Sequence, residues 1–316
     1  MKTIIILIAL SIQSMALIFP IVSFSDETGT MLGLFWQKKL SERSNLQLFG
    51  LTQNKGNTGF LNASNVPIGS DIYNFRVFGS NAGSSYYGIG NTAKKTDPQH
   101  LYYDEFSITS TIERPWINQW NLIIGLNAMH YSEQRKKNNN QQAFPSLSKL
   151  GLIIGAELDK RNKEFNSTNG YFNEISLQLY DNQTILSNDI RRFTPIPYGV
   201  IATKLYSSQT FTTHDHIKFL SSVGNYNYLR GYKTNDIMDR HLSFVQLEWR
   251  APVFKWLIIT PFIEGGVIGR HPGNLKKSLL SYGLGHYIPI GEGSFRIELA
   301  TAESNSEFYF GFNHVF

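Results

Sequence analysis

Leu229-Arg230-Gly231-Tyr232 sets an arginine between bulky apolar residues with a glycine behind it, a poor composition for an ordinary loop tip. Glu248 and Glu264 follow 18 and 34 positions downstream, each inside a segment of alternating apolar and polar residues. A buried guanidinium needs carboxylate partners, because an unpaired buried charge costs roughly 3–5 kcal/mol. The layout predicts a loop folded inward so that Arg230 forks onto Glu248 and Glu264 on an inner wall. Gly231 would permit a turn that a side chain blocks, and Tyr232 would wedge the loop against Phe262.

The segments around this motif set the fold class. Ile124, Leu126 and Ala128 share one strand face and Gly125 and Asn127 the other; Leu150, Leu152 and Ile154 oppose Gly151 and Gly155. Phe295, Ile297 and Leu299 oppose Arg296 and Glu298, and Ile175, Leu177 and Leu179 oppose Glu174, Ser176 and Gln178. Period-two alternation of this kind marks strands with two unlike faces. In 241-251, Val245, Leu247 and Trp249 face outward and Gln246, Glu248 and Arg250 inward; in 255-269, Phe262 and Glu264 face inward.

The pattern predicts strands near 29-38, 44-53, 57-65, 71-79, 84-92, 101-113, 119-131, 148-159, 171-181, 197-208, 216-225, 241-251, 255-269, 278-289, 293-303 and 306-316. An even count of sixteen suits an all-β fold, a transmembrane antiparallel β-barrel with an inward-folded extracellular loop plugging its lumen. Short connections at Arg114-Pro115-Trp116 and Gly291-Glu292-Gly293 would face the periplasm, and longer polar ones, Ser132 to Ser146 and Asn182 to Pro197, the outside. Phe308, Phe310, Phe312 and Phe316 alternate to the last residue, as a C-terminal targeting strand would. Gly29, Gly33 and Gly311 would weaken pairing where first and last strands meet, leaving an edge able to open.

Composition agrees. Aromatic residues make up 14% of the chain while its average hydropathy is mildly polar, which fits an apolar exterior around a polar interior. There is no cysteine, and the net charge of +5 is spread out, with no patch suited to nucleic acid. Met1-Lys2 and the apolar run Ile4 to Ile12, followed by Ser14-Met15-Ala16, read as a signal peptide over 1–16, with cleavage as late as 25 as the alternative. The remainder, 17–316, would be one barrel in the outer membrane.

Four stretches give the chain a likeness. Leu229-Arg230-Gly231-Tyr232, Gln246-Leu247-Glu248-Trp249-Arg250-Ala251-Pro252 and Phe262-Ile263-Glu264-Gly265-Gly266 are three. Asp159-Lys160-Arg161-Asn162 with the turn ending at Gly170 is the fourth. Together they resemble the BamA/TamA surface-antigen superfamily of outer-membrane barrels. Glu264 stands where that family carries aspartate, and Asn162 and Ser167 depart from its turn motif. The resemblance implies a plug loop (Leu229, Arg230, Gly231, Tyr232), carboxylate partners (Glu248, Glu264) with Phe262 beneath, and a turn motif (Asp159, Arg161, Gly170). It also implies a role in inserting or translocating proteins or lipids. POTRA modules, which assembling and secreting members carry before the barrel, would not be expected between the signal segment and the first strand.

A passive pore or structural barrel is the alternative. Expected partners are outer-membrane lipid, the assembly machinery that inserts the barrel, and a separate periplasmic protein or a second copy. No cofactor, metal or enzymatic activity is expected. His214 and His216 lack a third ligand, and His130, His241 and His286 are isolated.

Overall fold

In the computed structural model the described residues are 10–11, 16–25, 29–41, 44–53, 56–81, 83–90, 99–133, 144–163, 166–224, 228–233, 235–290, 293–303 and 305–312. They are all-β. Sixteen strands have eight residues or more: Ala16–Ser25 (β1), Gly29–Lys39 (β2), Asn45–Gln53 (β3), Gly56–Ile68 (β4), Asp71–Ser80 (β5), Gln99–Pro115 (β6), Asn121–Glu133 (β7) and Leu147–Asp159 (β8). The others are Gly170–Tyr180 (β9), Gln183–Ile196 (β10), Gly199–Thr212 (β11), His241–Phe254 (β12), Leu257–Gly269 (β13), Leu275–Ile290 (β14), Gly293–Ala302 (β15) and Asn305–Phe312 (β16). No helix among these residues is long and apolar enough to cross a membrane.

The chain forms two compact units. The first, residues 1–84, 100–154 and 179–181, holds β1–β7 and the first part of β8. Its strands pair antiparallel in sequence order from β1 to β7. The second, residues 85–99, 155–178 and 182–316, holds most of β9 and all of β10–β16. There the antiparallel order runs without interruption from β10 to β16.

In each unit one sheet face exposes large apolar side chains. Leu34, Leu48, Leu61, Phe106, Ile124, Leu126 and Leu150 do so in the first, and Leu205, Val245, Leu247, Trp249, Ile263, Leu284 and Leu299 in the second. The opposite face carries polar groups. In the second unit these are charged and buried: Lys204, Glu248, Arg250, Glu264, Arg296 and Glu298. A water-soluble sheet would bury the apolar face and expose the polar one, so this inverted arrangement calls for an apolar surround.

The count of sixteen holds, but two members differ from expectation. Gln183–Ile196, taken as a long polar connection, is a strand paired along its whole length with β11. Its alternation is concealed by polar residues at both kinds of position, Asn188-Asp189 and Arg191-Arg192 among them. Ala16–Ser25 is also a strand, opposite Gly29–Lys39. Gly29 and Gly33 therefore sit within a paired ladder, opposite Ser25 and Ile21, rather than on an edge.

Conversely, among the described residues the range 84-92 holds just the end of the short strand Gly83–Tyr86, and 216-225 just the two-residue Ser221–Ser222, paired with Met238–Asp239; positions 91, 92 and 225 lie outside the described residues. Residues 213–240 form one long connection between β11 and β12. His214 and His216 belong to it.

Candidate functional site

The connection 213–240 folds back on itself and then onto the polar face of its own unit. Its base is tied by Val223 N–H to the Ile237 carbonyl at 3.1 Å and Asn235 N–H to the Val223 carbonyl at 3.2 Å. Val223, Leu229, Tyr232 and Ile237 then bury against Leu242, Phe244, Ile268, Leu279 and Ala302 of the strands. The apolar residues flanking Arg230 are therefore anchors, and this burial offsets the cost of ordering the loop.

Those anchors force an unusual backbone. Leu229 has φ 54 and Gly231 φ 91, both left-handed. For leucine that conformation costs about 1–2 kcal/mol, retained because its side chain is fully buried. At Gly231 a side chain is barred twice, since an added Cβ would lie 2.8 Å from the Thr301 carbonyl carbon and 2.9 Å from Ala302 N. Gly231 N–H donates to the Tyr309 hydroxyl at 2.9 Å, and the Tyr232 hydroxyl donates to the Leu280 carbonyl at 3.2 Å. Tyr232 thus reaches the β14 backbone.

Arg230 points to the wall with no exposed surface. Its Nε donates to Glu264 Oε1 at 2.6 Å, its backbone N–H to Glu264 Oε2 at 2.7 Å, and Nη1 to Glu298 Oε1 at 2.8 Å. Glu248 Oε2 lies 3.6 Å from Nη2. The guanidinium stacks on Phe262, 3.6 Å from the ring centroid. Glu264 is held further by Gln246 at 3.0 Å and Ser281 at 3.2 Å.

Two more arginines complete the cluster. Arg250 donates to Glu248 at 2.8 Å, and Arg296 donates to both Glu248 and Glu298 while stacking 3.8 Å above Tyr287. Tyr287 Oη sits 2.7 Å from Glu248 and 3.0 Å from Glu298. Three buried cations meet three buried anions. That balance is what lets so many charges leave water, since each guanidinium finds a carboxylate and each carboxylate several donors.

No protein-family model and no curated protein matches the chain. Solved structures do. BamA from Haemophilus ducreyi lacking POTRA domains 1-3 matches with a TM-score of 0.62 at 14% identity, covering 98% of this chain and 74% of that one. CdiB from Acinetobacter baumannii matches with a TM-score of 0.62 at 12% identity, covering 98% of this chain and 64% of that one. The chain therefore spans less than two thirds of the solved CdiB. This is the BamA fold. At the level of fold, the likeness read from the four motifs is borne out.

On this BamA-like fold the turn motif folds onto the polar face too. Asp159 accepts from Arg161 Nε at 2.9 Å and Nη2 at 2.8 Å, and Arg161 stacks on Phe172 at 4.6 Å. Gly170 has φ 106, and a Cβ there would lie 2.1 Å from the Lys160 carbonyl oxygen. Asn162, which departs from the family pattern, closes the turn itself: its Oδ1 accepts from Thr168 N–H at 3.0 Å and Asn169 N–H at 3.2 Å.

Arg250 links turn and loop. Its Nη1 donates to the Ser167 carbonyl at 3.2 Å while its Nε holds Glu248, the carboxylate beside Arg230. Ser294 adds a second tie, donating to Asn166 Oδ1 at 3.0 Å. Arg250→Ala should cost about 2 kcal/mol, the scale of a lost charged hydrogen bond, and expose the 160–169 turn to protease in folded protein. An unchanged digestion pattern would refute the link.

Of the C-terminal phenylalanines, Phe308 lies on the exposed apolar face of β16, Phe310 and Phe312 fall within that strand, and Phe316 is outside the described residues. Glu298, Arg296, Arg250, Tyr287 and Tyr309 complete the site and were not singled out from sequence as part of it. The signal available was the Arg296-x-Glu298 spacing, which puts opposite charges on one strand face.

Proposed function

We propose that this chain is a member of the BamA/TamA surface-antigen superfamily, a transmembrane β-barrel of the outer membrane of a Gram-negative-type bacterium. In this reading the connection 213–240 plugs the lumen, and the barrel assists insertion or translocation of proteins or lipids. The observation that carries it is the docking of Arg230 on Glu264, Glu298 and Glu248, on a fold shared with BamA and CdiB. A buried, charge-balanced latch is a costly way to brace a wall and a suitable way to fix a loop in one geometry. The exposed apolar sheet faces and the sixteen long strands of the described residues support the same reading.

The membrane reading has a direct test. Leu126 is 54% exposed on β7. Leu126→Arg should destabilise protein folded in liposomes by about 2–4 kcal/mol, read as a shift in the urea midpoint. In a water-soluble sheet the same change would be near neutral, within about 0.5 kcal/mol.

Signal cleavage after Ala16 leaves β1 nearly whole to pair with β2, so the mature protein should begin at Leu17 by intact mass. A mature chain beginning at Asp26 would lack that strand and contradict the reading.

The functional test is deletion with complementation, followed by quantification of outer-membrane proteins and lipids. Loss of a defined set of either, restored by wild type and not by Arg230→Ala, is the expected result. An unchanged membrane composition would instead favour the passive or structural barrel.

A further inference from the structure

A pocket of about 480 Å³ in the second unit is lined by cations and, among the described residues, by no carboxylate. It lies at the strand ends that carry the connection 213–240, where β11 ends at Thr212 and β12 begins at His241. Arg240, Arg270 and His271 line it together with Gln209, Phe211 and Thr212 of β11. Asp215, outside the lining, holds both guanidiniums. Arg240 Nε donates to its Oδ1 at 2.6 Å and Arg270 Nη1 to its Oδ2 at 2.7 Å.

That carboxylate does not use up what the arginines offer. A guanidinium carries several N–H donors in a fixed fork, and Asp215 is the one acceptor that either side chain has among the described residues. One negative charge against two positive ones leaves a surplus cation. A brace for the loop would need a single arginine, so the second is available to an anion. Asp239, the next carboxylate along the chain, accepts the Arg240 backbone N–H at 2.8 Å. It stands against Gly90, where an added Cβ would lie 2.8 Å from its Oδ2, and it does not line the pocket.

Gln209 makes an independent demand. It is 7% exposed, and its Nε2 donates to the Thr210 carbonyl at 3.2 Å. That bond fixes the orientation of the amide and leaves Oε1 without a partner among the described residues. A buried acceptor left unpaired is costly, so this one calls for a hydroxyl or amide N–H from an occupant of the pocket. The strand shows which surface the occupant adjoins. Leu205 and Phe211 are exposed on the apolar face of β11, and alternation along an unbroken ladder puts Gln209 between them on that face. The pocket therefore borders the surface that calls for an apolar surround.

We propose that this pocket binds the phosphate of an outer-leaflet lipid headgroup that also carries a hydroxyl or amide N–H. Arg240 and Arg270 fork onto phosphate oxygens, which a planar guanidinium matches in shape and charge. Gln209 Oε1 accepts from the hydroxyl or amide, and an acyl chain continues over Phe211 along the apolar face. A neutral headgroup would leave the surplus charge unpaired, and a free anion would leave Phe211 uncovered. The inference rests on the membrane reading above, in which the connection 213–240 faces outward, and does not need the transport role.

The test is native mass spectrometry of the full-length protein, folded in detergent. The probes are diphosphoryl lipid A, digalactosyldiacylglycerol as a phosphate-free lipid, and inorganic phosphate as competitor. Saturable binding of lipid A is expected, weakened about tenfold by Arg270→Ala and about threefold by Gln209→Met. Lys218→Ala, which removes a cation of the same connection outside the pocket lining, should leave it unchanged. Arg270 is 45% exposed, so its loss spares the fold, and heat-modifiable gel mobility verifies this for each variant. Equal binding of the galactolipid, or lipid A binding that both pocket variants leave intact, would overturn the proposal. Displacement of lipid A by millimolar inorganic phosphate would overturn the lipid assignment in favour of a free phosphate. Protein that enters liposomes but binds no lipid A refutes the pocket and leaves the membrane reading standing. Protein that stays out of liposomes refutes that reading, and this inference with it.

Discussion

Replacing Arg230 with alanine is expected to destabilise the folded protein by about 3–5 kcal/mol and to release the connection 213–240 from the wall. The loss is large because of what stays behind. Glu248, Glu264 and Glu298 have no exposed surface and would face two arginines in place of three. Arg230→Lys should recover only part of it: an ammonium cannot fork between Glu264 and Glu298 or stack on Phe262 as a planar guanidinium does. Pairing Arg230→Met with Glu264→Gln should cost less than Arg230→Ala alone, since both members of the buried pair lose their charge. Urea midpoints and protease cleavage within 213–240 report these effects. Wild-type stability and protection in Arg230→Ala would mean that the arginine does not hold the loop.

Gly231→Ala is the second large effect. The residue has φ 91, and the new methyl would press on the β15 backbone at Thr301 and Ala302. Left-handed strain of about 1–3 kcal/mol and overpacking of about 1–3 kcal/mol both oppose it, and neither relaxes without moving the loop. The loop should therefore lift, breaking the bond from Gly231 N–H to Tyr309 and drawing Arg230 off its carboxylates. Gly265→Ala on β13 is the matched control. Its nearest neighbour to an added Cβ is 3.9 Å away, so it should be close to neutral. Equal behaviour of the two variants would dismiss the close approach as a cause.

These two residues also show what a sequence can disclose. Arg230 with apolar neighbours, a following glycine and inward carboxylates at Glu248 and Glu264 was legible because each feature is local or follows strand parity. The sixteen-strand count was legible for the same reason. Glu298 was not, since its contact with Arg230 spans 68 positions and depends on β13, β14 and β15 pairing in one register.

The assignment of Gln183–Ile196 failed because a polar-faced strand with charges on both sides loses its period-two signature. Ala16–Ser25 failed for another reason: an apolar segment following a signal-like start reads as part of that start until its pairing with Gly29–Lys39 is seen. Tyr232 anchors the loop onto the backbone of Leu280, a contact that no local pattern announces, and the aromatic surface of Phe262 carries Arg230.

The most direct test of the proposed role is photo-crosslinking in living cells from probes at Leu34, on the exposed face of β2, and at Phe310, in β16, with the captured species identified by mass spectrometry. The account predicts capture of outer-membrane protein precursors or of a lipid-transfer partner. Capture of bulk lipid alone, or of a second copy of this chain and nothing else, would contradict it and leave a static barrel.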